Sequence, residues 1–247
     1  MAVKYLVTGT TECGPVRVVN EDAILFEMDA RQGAWAFAAV ADGLGGLDYG
    51  AEASRLAIDV LRGDFLKEGQ PEAGALHHCF VKAHSAIHAA QLARGRNSRM
   101  GTTLVACLST QSGAWLASVG DSRAYLLCEE SATQLTEDHS VAAEQVRAGI
   151  LSPAAAEHSA QRNVLTRCLG PEDEPPEVDL FGPVAFPAGS RILLCSDGLF
   201  TALSLEEMRT LAMQQPLASA MHQLVGQAIS QGSRDNVSAV LISHADA

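Results

Sequence analysis

Basic residues are scarce in this sequence: 17 Lys and Arg stand against 29 Asp and Glu, a formal net charge of -12 over 247 residues. A field of that sign repels nucleic acid and anionic lipid while concentrating cations, so polyanion binding is excluded as a function class. It also opposes a phosphorylated substrate, so a phosphate-handling site here must neutralise charge locally, with metal or Arg. The sequence lacks a C-x-x-C pair. Its six cysteines (Cys13, Cys79, Cys107, Cys128, Cys168 and Cys195) fall mostly in apolar segments, where a reduced thiol behaves as a small hydrophobe, and they are expected in the core rather than on a metal. Long apolar runs are missing too. The stretch "AWAFAAVA" is far too short to span a bilayer, and no basic and then apolar leader opens the chain, so a cytoplasmic protein with no membrane partner is expected. No low-complexity linker, repeat or break in composition divides the sequence, which is read as one domain over residues 1–247.

What is present is 47% hydrophobic residues, ample for a core. About eight runs bounded by Gly, Asp or Ser read as strands: "KYLVTGT", "DAILFEM", "WAFAAVA", "TLVACLS", "AWLASVG", "RAYLLC", "RILLCS" and "NVSAVLIS". The connections "TQSG" and "GDS" are too short for a crossover helix, so "TLVACLSTQSGAWLASVGDSRAYLLC" is expected to run as consecutive antiparallel strands. Helical stripes interrupt in pairs. Ala53, Leu56, Ala57, Val60, Leu61 and Phe65 repeat at three and four between Gly50 and Gly69, and Leu76, Phe80, Ala83, Ile87 and Ala90 follow on one face. Later, Ser204 and Glu207 fit a capping box, and a helix from Pro216 carries Leu217, Met221, Leu224, Val225 and Ile229. This order predicts an α+β fold with helices covering the outer faces of packed, mainly antiparallel sheets. From about residue 137 to 170 the pattern shifts to short helices around Ser152-Pro153, a cap and first-turn pair, and this stretch is expected to form a flap.

The isolated acids fall at strand borders. Asp42 ends "AAVAD", Asp121 follows "ASVG", Asp197 follows "LLCS", Asp235 precedes "VSAVLI", and Glu21 and Asp22 precede "AILFEM". Singly each is a turn or cap residue. Together, five strands could collect them at one rim, where their repulsion would be offset by bound cations. Carboxylates and a backbone carbonyl such as that of Gly43 are hard oxygen ligands suited to Mg²⁺ or Mn²⁺. Glycine at 43, 45 and 46 lets the backbone come close to such an ion.

These acids sit in an ordered motif set: "RVVNEDA" (17–23), "VADGLGG" (40–46), "GTT" (101–103), "VGDSRAY" (119–125), "LTEDHS" (135–140), "NVLTRCLG" (163–170), "LLCSDGL" (193–199) and "SRDNVSAVL" (233–241). The set resembles that of the PPM/PP2C metal-dependent protein serine/threonine phosphatases in their compact bacterial form, over nearly the whole chain. The resemblance implies a four-layer α-β-β-α sandwich with a binuclear Mn²⁺ or Mg²⁺ centre at one edge, and a weaker third ion. It implies that Asp42 bridges both ions, that Gly43 gives its carbonyl to one, and that Asp197 and Asp235 hold the other. Glu21 resembles a further ligand, direct or through water, Asp22 its neighbour in the catalytic set, and Asp121 the acid at the third ion. Arg17 resembles the arginine that grips the substrate phosphate.

The implied reaction is hydrolysis of phosphoserine and phosphothreonine by a hydroxide bridging the two ions, with no phosphoenzyme. Phosphate monoesters hydrolyse very slowly unaided, so neutralising the equatorial oxygens carries much of the catalysis, and a guanidinium fork suits that task. The implied partners are phosphorylated proteins and a Hanks-type Ser/Thr kinase, in a pathway such as cell-wall growth or type VI secretion; a monomer is expected. Two features depart from the pattern. Leu44 stands where many eukaryotic members carry a His that resembles a general acid, and Asp48 adds an acid, read as a solvated surface residue. His139 is a candidate proton donor, although a structural His bridging the flap is preferred, and the remaining histidines, including His77 and His78, are expected mostly at the surface. Two rivals stand beside the phosphatase: a catalytically silent binding module, disfavoured because Asp42, Asp197 and Asp235 are all retained, and a two-metal phosphoesterase for small molecules.

Overall fold

The computed structural model describes residues 4–30, 33–45, 49–65, 73–95 and 98–245. Gly46, Asp48 and the expected helix end at Gly69 lie outside the described residues. In chain order the elements are β1 (Lys4–Glu12), β2 (Asp22–Met28), β3 (Trp35–Asp42), α1 (Gly50–Val60), α2 (Ala75–Arg94), β4 (Leu104–Thr110), β5 (Gly113–Val119), β6 (Arg123–Leu127) and β7 (Ala132–Gln134). There follow α3 (Val141–Arg147), α4 (Pro153–Glu157), β8 (Asp179–Val184), β9 (Arg191–Cys195), α5 (Asp197–Phe200), α6 (Leu205–Ala212), α7 (Leu217–Ser230) and β10 (Val237–Ala245).

The strands form two five-stranded sheets, ordered β1-β10-β9-β6-β7 and β2-β3-β4-β5-β8. Every pairing between these strands is antiparallel. The four layers follow from side-chain alternation. On β3, Phe37, Ala39 and Ala41 pack with Ala53, Ala57, Phe80 and Ile87 of α1 and α2, whereas Ala36, Ala38 and Val40 point into the gap between the sheets. On β10, Ala239 and Leu241 pack with Met221, Leu224 and Ala228 of α7, and Val240 and Ile242 enter the same gap. A strand buried on both faces reads as an unbroken apolar run, which is why "WAFAAVA" shows no alternation in sequence. The result is a helix layer, two sheets and a second helix layer, the α-β-β-α sandwich expected.

Several details correct the sequence reading. First, β5 and β6 are not neighbours: β5 takes β8 at its edge and β6 lies between β9 and β7, so "GDS" steps from one sheet to the other. Three residues suffice to cross the roughly 10 Å between packed sheets, so shortness alone did not specify a hairpin. Second, β7 and β8 went unread, the first because it has three residues and the second because its exposure is mixed. Third, α1 ends at Val60 and continues as a π-type turn, Leu61–Phe65. The capping box at Ser204 and Glu207 is present in full, and Ser152 caps α4 with Pro153 in its first turn. Of the cysteines, all free, Cys79, Cys107 and Cys195 are buried; Cys13, Cys128 and Cys168 are only half-buried, a correction to their core assignment. His84 likewise departs from the surface expectation, buried against His88 with its Nδ1 accepting from the Gly170 N–H at 3.1 Å, while His77 and His78 are exposed.

Candidate active site

Antiparallel register places the acids at one end of the sandwich. Asp22 opens β2 directly opposite Asp42, which ends β3. In the other sheet Glu12 pairs with Val237 and Cys195 with Ala239, so the end of β9, two residues before Asp197, lies beside the start of β10, preceded by Asp235. The loop from β1 to β2 carries Arg17 and Glu21, the step from β5 to β6 carries Asp121, and both join the sheets at that end. Asp197 is also the first residue of α5.

Each position is locked by its neighbours. The Asp42 N–H donates to Thr103 Oγ1 at 3.0 Å, and its carbonyl accepts from Thr102 Oγ1 at 2.8 Å and the Thr103 N–H at 2.9 Å. Thr103 Oγ1 in turn contacts Ser122 Oγ at 2.7 Å, next to Asp121. Thr102 is bridged to Leu169, so "GTT" and "RCLG" together hold the end of β3. Gly43 donates to the Glu21 carbonyl at 3.1 Å, and a Cβ there would lie 2.3 Å from the Gly50 carbonyl oxygen, so only glycine fits. Ser196 Oγ donates to Asp22 Oδ2 at 2.7 Å.

Carboxylates brought this close perturb one another. Asp42 is pushed well above the usual carboxylate range, first by burial and then by Asp22, Asp197, Asp121 and Asp235. Asp197 rises to about 7 through burial, Asp121, Asp235 and Asp22, with Arg17 pulling it down. Burial lifts Asp22 to about 6 against the hydroxyls of Ser238 and Ser196, and lifts Asp121 to about 6 with the help of Asp138. Glu21 is raised by burial, opposed by Arg17. Positive charge comes from Arg17, whose Nη2 lies 2.7 Å from Asp235 Oδ2.

Among the described residues, no three His, Cys, Asp or Glu side chains are closed into a ready-made coordination shell. The chemistry of the donors nevertheless fits a hard divalent cation. They are oxygens, their mutual repulsion calls for positive charge, and Asp22 Oδ1 is buried with no hydrogen-bond partner.

The structure therefore brings together Arg17, Glu21, Asp22, Asp42, Asp197 and Asp235, with Asp121 within electrostatic reach of Asp42 and Asp197. It also places a residue that the sequence reading passed over. Asn236 accepts from the Glu21 N–H at 2.9 Å and donates to the carbonyls of Cys13 at 2.8 Å and Val19 at 3.1 Å, pinning both ends of the loop that holds Arg17. Only its position after Asp235 in "RDN" hinted at it. Asn236→Ala leaves those three backbone groups without their partner and is expected to destabilise the protein by roughly 2–3 kcal/mol, measured by urea unfolding.

His139 is structural. The Gly120 N–H donates to its Nδ1 at 3.0 Å, which leaves the proton on Nε2, 3.0 Å from Asp179 Oδ2. Burial raises the Asp179 carboxyl, but His139 and Arg167 outweigh it and hold the group below the usual range. His139 thus ties the start of the 137–170 segment to the β5–β6 step and to β8. Leu44, half-buried, donates its N–H to the Gly101 carbonyl at 3.0 Å.

A family model, protein phosphatase 2C, matches residues 16–241. The serine/threonine phosphatase stp of Listeria monocytogenes is 35% identical over 240 residues, covering 94% of this chain and 93% of its own length. The catalytic domain of the serine/threonine protein phosphatase PstP, solved with two manganese ions, superposes with a TM-score of 0.83 at 30% identity, covering 99% of this chain and all of its own. PppA, described as a key regulatory component of type VI secretion in Pseudomonas aeruginosa, superposes with a TM-score of 0.80 at 27% identity, covering 97% of each chain. Matched from its first loop to its last strand, the chain belongs to the protein phosphatase 2C family.

Proposed function

We propose that this chain removes phosphate from phosphoserine and phosphothreonine in proteins, using Mn²⁺ or Mg²⁺ held by Glu21, Asp42, the Gly43 carbonyl, Asp197 and Asp235, with a weaker third ion at Asp121. As a member of its family it is a protein phosphatase, a hydrolase of phosphoric monoesters. The observation that carries the metal reading is the convergence of acids from both sheets on Arg17 at one end of the sandwich, with Asp42 raised by four of them. When bound, the ions supply positive charge and a water of lowered pKa.

The chain's own residues do the rest. Arg17, already poised on Asp235, offers a planar fork to the phosphate oxygens. Asp22 lies opposite Asp42 and, oriented by Ser196, sets the polarity behind it. Leu44 has no proton to give, and both ring nitrogens of His139 are engaged, so neither protonates the leaving alkoxide. We read residues 1–247 as one phosphatase domain, with 137–170 as a flap beside the site; the hold of His139 and Asp179 on that segment supports this. A Hanks-type Ser/Thr kinase is the proposed opposing enzyme. Such a pairing works on phosphoproteins in the cytoplasm, with the phosphatase as a monomer. Among the described residues no helix is long and apolar enough to cross a membrane.

The test is hydrolysis of a phosphothreonine peptide and of a nucleoside monophosphate across an Mn²⁺ titration. Metal-dependent turnover of the peptide is expected. Turnover of the nucleotide alone would make the protein a small-molecule phosphoesterase, and inertness toward both would make it a binding module.

A further inference from the structure

We infer that the loop between β1 and β2 is a docking platform for an apolar side chain adjacent to the phosphorylated residue of the substrate, an inference that rests on the phosphatase reading above. Arg17 stands between Val16 and Val18, with Val19 next. All three valines are exposed, and Val18, at 96%, is the most exposed large apolar side chain among the described residues. Scattered surface valines need no explanation, but these three fall within four positions of the loop and flank the arginine that bonds Asp235.

The loop is held rather than loose. Asn236 Nδ2 donates to the carbonyls at its two ends, Cys13 and Val19, and the Cys13 thiol donates to the Arg17 carbonyl at 3.4 Å. Gly14, at φ +72, packs so closely on the Asp235 carbonyl that a Cβ would lie 2.4 Å from it. A pinned backbone bearing β-branched side chains has little conformational freedom left to lose, so apolar contact there is converted efficiently into binding.

Spacing and charge identify the occupant. A phosphorylated residue gripped by Arg17 is held beside this loop, and its neighbours, spaced about 3.8 Å apart along the peptide, come within reach of Val16, Val18 or Val19. Acidic flanking residues are selected against, because the chain carries a net charge of -12 and Asp235, Glu21 and Asp197 lie close to Arg17. A polypeptide with a leucine-like residue beside its phosphothreonine satisfies both conditions.

The experiment compares kcat/KM for two phosphothreonine peptides of equal length under saturating Mn²⁺, one with Leu and one with Ser on both sides of the phosphorylated residue. Wild type is expected to prefer the Leu peptide by about tenfold, the scale set by part-burial of an aliphatic side chain. Val16→Ser/Val18→Ser is expected to bring the ratio close to one through the Leu peptide, whereas Val18→Ile keeps the preference. Equal rates for wild type on both peptides, or a preference that survives the double substitution, would overturn the platform while leaving the phosphatase reading intact. Failure of wild type to hydrolyse either peptide would overturn both.

Discussion

Asp42→Ala is expected to abolish metal-dependent turnover of a phosphothreonine peptide while leaving the fold intact. The fold survives because Asp42 is anchored through its backbone: its N–H goes to Thr103 Oγ1 and its carbonyl accepts from Thr102 and Thr103, and alanine keeps all three bonds. The carboxylate itself is crowded. Burial and the charges of Asp22, Asp197, Asp121 and Asp235 raise it far above the ordinary range, so its ionised form opposes folding at neutral pH when no cation is bound. Deleting it therefore raises the thermal midpoint of the metal-free protein at pH 8. Activity moves the other way. Losing a group merely behind a metal ligand costs roughly 10–100-fold, so losing the acid at the centre of the cluster is expected to cost more than about 100-fold. Circular dichroism, a thermal melt in chelator and a peptide assay on one preparation read all three effects; a fully active variant would remove Asp42 from the proposed site.

The layers of the fold were legible because bounded apolar runs and helical stripes report burial, and burial is what builds them. Eight of the ten strands were readable, since β2 and β9 each place a dense β-branched or aliphatic run between polar stops. Strand order was not readable. Nothing in "GDS" distinguishes a hairpin from a step between sheets; the partner of β6 is decided by β9, distant in sequence, and by β8 occupying the edge of β5. In the site, acids at strand ends were visible because an acid after an apolar run is a local signal, and the motif resemblance assigned them roles. Asn236 and Ser196 escaped because an amide or hydroxyl beside an acid looks like any turn residue. Their importance lies in partners at sequence distances of 215 and 174 residues. His84 escaped for a similar reason: it was read with the surface histidines, and the segment that covers it, around Gly170, lies 86 residues away in sequence.

Stripping divalent ions with a chelator is expected to lower the thermal midpoint, and by more at pH 8 than at pH 5. In the folded chain Asp22 and Asp121 sit at about 6 and Asp197 at about 7, and Asp42 is held well above the usual carboxylate range, whereas an unfolded Asp titrates at about 3.9. Groups raised in this way favour the folded state while protonated. Their contribution is complete below about pH 4 and is lost as pH climbs through about 6 to 7, so metal-free protein weakens across that interval. A cation takes the place of those protons. At pH 5 it must displace them and contributes little; at pH 8 the carboxylates are open to it. With Mn²⁺ at a hundred times its dissociation constant the stabilisation is about 2.7 kcal/mol. For a chain of this length that corresponds to a rise of roughly 5–10 °C in the midpoint at pH 8. Asp42→Ala should shrink the rise, because it removes the carboxylate that all of Asp22, Asp197, Asp121 and Asp235 act on, while Val18→Ser, on the exposed loop, should leave it unchanged. Equal shifts at the two pH values, or none at pH 8, would mean that these acids do not share a cation.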